Sequence, residues 1–180
     1  MAPKESWKSR ATNCGRRATY YESVISVRRT PNILLDWRRP RPRFGRAFYH
    51  IQGARHSKDL GMKLVDYCTA AESLFLSSSG ELMHQLSERI SCFNEKPGVS
   101  RIETYRRFKR AYNFRSRVVH GAAIAAKDLT VLKELSSVCD DLLRRALRRL
   151  LDNKKLQQVF ESGDDKFDDF FSIGNSWLRQ

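Results

Sequence analysis

The chain has 180 residues, a length typical of one domain, and 41% of them are hydrophobic, which is enough for a sizeable core. No apolar run approaches the roughly 18 residues that a membrane-spanning helix needs, so the sequence excludes a membrane span. Thirty-four basic residues against twenty acidic ones give a net charge of +14. A charge of this sign attracts polyanions, with nucleic acid as the first expectation.

The positive charge is concentrated at the start of the chain, where residues 1–55 carry +10 and residues 56–180 only +4. Up to residue 43 the hydrophobic periodicity is weak, with two short strand-like runs rich in aromatic and β-branched residues. Proline alternates with arginine over residues 38–43, which favours an extended backbone. We therefore predict a basic, partly extended arm over residues 1–43, either a linker or a tether for RNA phosphates.

From residue 44 to residue 180 the apolar residues recur at helical spacing, which predicts an all-α bundle. Two Ser-x-x-Glu capping boxes mark helix starts, at Ser78 and at Ser100. In chain order, the predicted helices run from Phe44 to about Gly53, over about 57–76, from Ser78 to Phe93, from Ser100 to Val119, over about 128–152, and in one or two short pieces after Lys154.

The four cysteines do not have the spacing of zinc ligands. Cys68, Cys92 and Cys139 fall on apolar helix faces, where a buried free thiol is the ordinary explanation, and Cys14 lies in the arm. We expect no metal site and no cofactor. Free thiols fit the reducing cytoplasm.

The segment from Tyr112 to Gly121, YNFRSRVVHG, holds the residues best suited to chemistry. Four residues separate Arg115 from His120, and Gly121 suits the left-handed position that ends a helix. An imidazole both takes and gives protons near neutral pH, and a forked guanidinium steadies charge on a phosphate. Together they meet the needs of RNA cleavage without a metal.

The spacing of this pair constrains the site. Five steps of about 100° put Arg115 and His120 about 140° apart on a regular helix. They converge only if the helix breaks near the motif, or if two chains build one site about a two-fold axis.

Two motifs in sequence order carry a resemblance to a known family. Residues 70–75 read AAESLF within an earlier helix, and the motif helix ends in RSRVVHG. In this order they resemble the Apea-like branch of the HEPN superfamily, with its Rx4-6H ribonuclease motif, over about residues 44–170. The resemblance implies a HEPN-like α-helical bundle, homodimerisation through the motif-bearing helices, and metal-independent endoribonuclease activity.

The resemblance also implies roles for individual residues. Arg115 would stabilise the pentavalent phosphate, and His120 would transfer the proton. Glu72 matches the acidic residue of the earlier helix and would orient Arg115 or His120; Ser116 occupies a polar position where the family often has Asn or Asp, and Asn113 would support phosphate binding. The basic residues expected to contact RNA along the same helix are Arg106, Arg107, Arg110 and Arg117.

Other functions fit the same residues. Arg115 and Glu72 alone would make a structural ion pair, as in a catalytically silent HEPN bundle that dimerises or binds RNA or a nucleotide within a larger complex. A basic adaptor would instead dock its arm on nucleic acid and its bundle on a protein. The nuclease interpretation implies RNA as substrate, a defence or toxin role in microbes, and an antitoxin or regulatory protein as a partner.

Overall fold

The computed structural model describes residues 43–77 and 82–173, which fold into α-helices joined by short links and one 3₁₀ turn. The described residues contain no β-strand, so the prediction of an all-α bundle is confirmed. The predicted arm lies outside the described residues up to residue 42. The helices are α1 (Arg43–His56), α2 (Leu60–Phe75), α3 (Leu82–Asn94), α4 (Val99–Val119), α5 (Leu129–Leu151), α6 (Lys154–Glu161) and α7 (Asp164–Ile173).

Helix α2 is the centre of the bundle and packs against α1, α3, α4 and α5. Its eight buried residues cover about half of the helix circumference, a wider apolar face than a surface helix needs. Ala70 and Ala71 are fully buried among them and let the neighbouring helices approach closely. This central position places Glu72, which lies on the remaining half-buried side of α2, against α4.

A cluster of phenylalanine rings fixes α6 and α7 to the bundle. Phe160 of α6 meets Phe75, Phe93 and Phe167 edge to face, with ring centroids 5.2–5.9 Å apart. Arg89 of α3 reaches across this cluster, and its guanidinium lies 2.7 Å from Asp168 of α7. The final helices are therefore held by both ring packing and an ion pair between a buried arginine and a more exposed aspartate.

Two predicted helix boundaries are wrong. α4 begins at Val99 with Gly98 as its N-cap, so Ser100 lies inside the helix and forms no capping box. Gly98 has a φ of +141°, which suits glycine and starts the helix before Ser100 is reached. The capping box at Ser78 lies outside the described residues.

The second wrong boundary is the start of α2, which begins at Leu60 instead of about residue 57, because Asp59 is its N-cap and accepts a hydrogen bond from the Met62 N–H. Gly53 lies in the last turn of α1, near the end of that helix as predicted. A Cβ there would stand 3.3 Å from Asp66 Oδ2 of α2, so the missing side chain serves the close packing of α1 on α2. Helix α5 follows its predicted bounds to within one residue at each end. The predicted domain boundary at residues 43–44 stays a prediction.

The described residues hold no helix long and apolar enough to cross a membrane. Within them, no group of three or more His, Cys, Asp or Glu side chains is placed to hold a metal ion. Cys68 and Cys139 are fully buried free thiols, and burial raises the pKa of both.

Candidate functional site

Helix α4 presents Tyr112 and Arg115, which are three residues apart, to Glu72 of α2. The Tyr112 hydroxyl donates a hydrogen bond of 2.7 Å to Glu72 Oε1, and Arg115 Nη2 lies 3.1 Å from the same oxygen. Burial, followed by the hydrogen bond to Glu72, raises the pKa of Tyr112 to about 12, so its hydroxyl remains a donor at neutral pH. We call these three residues the Glu72 bracket.

The Glu72 bracket leaves part of the Arg115 guanidinium unused. Only Nη2 is bonded to Glu72, while the central carbon lies 5.2 Å from the centroid of the Tyr112 ring. Nε is buried without a hydrogen-bond partner among the described residues and lies out of reach of a ligand, whereas no hydrogen bond within those residues uses Nη1, and 25% of the side chain is exposed. Because a guanidinium has five N–H donors, Arg115 is fixed in place with donors to spare for an anion.

His120 lies at the end of the same helix. It is the C-cap of α4, and its backbone N–H donates to the carbonyl of Ser116 at 3.0 Å. Gly121 follows with a φ of +76°, the left-handed conformation expected from the sequence. The His120 side chain is exposed, and Ser116 is half-buried with its carbonyl serving the cap.

A single chain does not bring Arg115 and His120 together. Helix α4 is continuous through Val119, so it does not break between the two residues. Among the described residues, no hydrogen bond or ion pair links Arg115 or Glu72 to His120. The structure therefore excludes the first of the two routes to convergence that the spacing allows, a break in the helix within one chain.

His120 instead shares an exposed face of α4 with polar and basic residues. Intervals of four, three, four and three residues put them on one side of the helix, over about 21 Å. All are exposed, and Arg115 points away from them toward α2. We call this set the α4 stripe: Arg106, Arg110, Asn113, Arg117 and His120.

The predicted RNA-contacting arginines divide into two groups. Arg106 and Arg110 have no ion-pair partner within the described part of the chain, and Arg117 is only loosely held, 3.7 Å from Asp128. Arg107 lies off the α4 stripe and is bonded to Glu103 at 2.7 Å. Three of the four arginines therefore present positive charge on the face of α4 that ends at His120, while Arg107 is paired with Glu103.

A cavity of about 310 Å³ lies on the other flank of α4, between α3, α4 and α5. Its charged residues are already paired with one another. Arg145 lies 2.8 Å from Glu95 and 3.0 Å from Asp141, and Arg107 bonds to Glu103. The cavity therefore offers no unpaired charge to a ligand.

Exposed apolar side chains surround the end of α4. The start of α2 touches this end, because a Cβ on Gly61 would lie 3.2 Å from Val118 Cγ2 and 2.9 Å from Ile124 Cδ1. Three large apolar residues are exposed by 42–53%, and each directly follows Gly61, Val118 or Asp128 in the sequence. They are Met62, Val119 and Leu129.

Tyr112 is a site residue that the motif of Arg115 and His120 does not identify. It is buried, with 7% exposure, yet its hydroxyl binds Glu72. The available signal was its position three residues before Arg115, which puts both on the face that meets α2.

Comparison of the chain with family models, curated proteins and solved structures found no match.

Proposed function

We propose that this protein is a metal-independent endoribonuclease of HEPN type, with a composite site that two copies of the chain build from Arg115 and His120. The observation that carries the proposal is the state of Arg115. Its guanidinium is fixed by Glu72 through one nitrogen and keeps unused donors, which is what a group that binds a phosphate oxyanion requires.

The second support is the position of His120. It is exposed at the end of a helix whose outer face carries Arg106, Arg110 and Arg117. RNA drawn to these cations would bring its backbone to the imidazole. A composite site needs a surface that the second copy covers. The exposed apolar side chains near the helix end supply one, and they are Met62, Val119 and Leu129.

The reaction proposed for this site is transesterification within the RNA. One His120 takes the proton of a ribose 2′-hydroxyl, the 2′-oxygen forms a bond to phosphorus, and the bond from phosphorus to the 5′-oxygen breaks. The partner copy's imidazole gives a proton to the leaving 5′-oxygen. Arg115 stabilises the charge on the pentavalent phosphate, and the products are a 2′,3′-cyclic phosphate and a 5′-hydroxyl.

The setting of the activity belongs to the same proposal. Buried free thiols at Cys68 and Cys139 fit a reducing cytoplasm. A nuclease of this kind needs control, so we propose a toxin or defence role with an antitoxin or regulatory protein as partner.

The test is RNA cleavage by the purified protein in EDTA. We expect cleavage, loss of more than a hundred-fold in rate with His120→Ala, and unchanged RNA binding and folding. His56→Ala is the matched control, because His56 is also an exposed histidine at a helix end. Equal cleavage by His120→Ala would overturn the assignment.

A catalytically silent binding module is the second candidate. It is favoured by the contact of Arg115 with Glu72, since an ion pair between two helices stabilises a bundle without any chemistry. This candidate predicts RNA binding without cleavage by either the wild type or the variants.

A further inference from the structure

Beside the α4 stripe, one aromatic ring from α3 meets one from α4. The centroids of His84 and Tyr105 are 5.7 Å apart, with the ring planes inclined at 66°. Lys109 follows Tyr105 by one turn, and its Nζ lies 5.7 Å from the centroid of the Tyr105 ring. His84 is exposed, and Tyr105 and Lys109 are half-buried.

Packing of the core does not explain this group. His84 is exposed on the first turn of α3, before Leu86, the first buried residue of that helix. No hydrogen bond or ion pair holds His84, Tyr105 or Lys109 within the described residues. The exposed His84 ring and the polar ends of Tyr105 and Lys109 therefore have no hydrogen-bond or ion-pair partner among the described residues to compete with a ligand.

The group adjoins the cations of the α4 stripe. Tyr105 and Lys109 directly precede Arg106 and Arg110 in sequence, so the rings lie along one edge of the stripe. Surfaces that bind single-stranded nucleic acid combine cations that follow the backbone with aromatic rings on which bases stack. The α4 stripe and the ring pair supply both.

We propose that His84 and Tyr105 form a stacking site for a base of single-stranded RNA whose phosphates bind Arg106 and Arg110. The inference rests on the proposed function and adds to it a base-binding site distant from the chemistry. Tyr105 precedes His120 by fifteen residues, about 22 Å along α4, so the bound base lies several nucleotides from the scissile phosphate. The site positions the RNA and takes no part in the reaction itself.

The chemistry selects an unpaired strand. Bases in a duplex are stacked on one another and offer no face to a protein ring, whereas bases in a single strand are available. Duplex RNA would therefore contact the cations and miss the rings.

The test measures binding of a fluorescent, 2′-O-methylated single-stranded oligonucleotide, which lacks the free 2′-hydroxyl needed for cleavage, at fixed salt. We expect His84→Ala and Tyr105→Leu each to weaken binding about ten-fold, Tyr105→Phe to bind like the wild type, and His56→Ala to have no effect. A duplex of the same sequence should bind the wild type and His84→Ala equally well. Unfolding midpoints establish that each variant is folded, and the exposed His84 carries the test if Tyr105→Leu is unstable.

Unchanged affinity for the single strand in His84→Ala, or the same loss with the duplex, would overturn the stacking site. Cleavage of unmodified RNA is measured separately, so the two proposals fail in different ways. Loss of binding in the ring variants with no cleavage by the wild type would refute the nuclease and support the stacking site. Cleavage with KM unchanged in His84→Ala would refute the stacking site and leave the nuclease standing.

Discussion

Glu72 Oε1 and Arg115 Nη2 lie 3.1 Å apart between α2 and α4, and the hydroxyl of Tyr112 binds the same oxygen. A similar group joins α1, α2 and α5, where Asp140 accepts hydrogen bonds from Arg55 Nε at 2.8 Å and from Tyr67 at 3.0 Å. In that group Nε of the arginine is bonded, whereas Nε of Arg115 is not. Arg55 and Arg115 each bond a carboxylate through one nitrogen, so both groups join helices and both leave further N–H donors of the guanidinium unbonded.

Glu72→Gln should lower both stability and activity. The amide keeps an acceptor for Tyr112 but loses the charge that holds Arg115, so we expect a loss of about 1–2 kcal/mol in the free energy of unfolding for this partly buried pair. RNA cleavage should fall more than ten-fold because Arg115 is no longer fixed. Urea unfolding and the rate of cleavage measure the two effects.

Glu103→Gln is the matched control for that variant. Its carboxylate pairs with Arg107 on the exposed surface of the same helix, and such pairs contribute about 0.5 kcal/mol or less. Stability and cleavage should both stay near the wild-type values. Wild-type cleavage by a folded Glu72→Gln would show that Glu72 has no part in positioning Arg115.

Asp140 should make the protein sensitive to acid. Burial opposes its ionisation, but the hydrogen bonds from Arg55 and Tyr67 outweigh burial and lower the pKa of Asp140. Its carboxylate therefore stabilises the fold fully above the unfolded pKa of about 3.9, and this contribution is lost as the pH falls through the lower, folded pKa. The stability advantage of the wild type over Asp140→Asn should shrink between about pH 5 and pH 2.5, as followed by urea unfolding. A constant difference over that range would contradict the assignment.

The sequence predicts the helices well because their signal is local. Apolar spacing located α5 to within one residue at each end, since its buried face repeats over the whole length of the helix. The capping box at Ser100 failed because a glycine two residues earlier permits a start that side-chain rules do not anticipate. The start of α2 was placed three residues early because apolar spacing alone does not show that Asp59 caps the helix.

The candidate site was harder to predict because it depends on contacts between helices. The motif identifies Arg115 and His120, but not the direction in which each side chain faces. The resemblance pairs Glu72 with either Arg115 or His120, and the packing of α4 on α2 shows that Arg115 is the one it contacts, while His120 joins Arg106 and Arg110 on the exposed face. The pairing of Arg107 with Glu103 is likewise a matter of side-chain geometry.

Arg89→Met should loosen α7. The largely buried guanidinium of Arg89 binds Asp168 of α7 and the carbonyl of Phe75, and it lies 5.0 Å from the ring centroid of Phe171. Methionine keeps most of the apolar volume but leaves the polar groups unpaired, so we expect a loss of about 2–3 kcal/mol in stability. Amide exchange in α7 should accelerate more than in α2.

Arg144→Met is the control for the Arg89 variant, because Arg144 pairs with Asp141 on the exposed side of α5. We expect a change of about 0.5 kcal/mol or less and unaltered exchange in α7. If Arg89→Met accelerated exchange equally in all helices, α7 would not be a separately held element.

Val119→Lys tests the composite site through the association of two chains. Val119 is 53% exposed beside His120, so a charge there disturbs no core packing but opposes burial against a second copy. We expect this variant to remain folded, to elute as a monomer in light-scattering chromatography, and to lose RNA cleavage while retaining RNA binding. The specific activity of the wild type should rise with protein concentration until the dimer is complete.

Val99→Lys is the control for this variant. It makes the same substitution at an 81% exposed valine at the other end of α4, and it should leave both dimer and activity intact. A Val119→Lys monomer that cleaves RNA at the wild-type rate would show that one chain is sufficient, and the shared site would have to be abandoned.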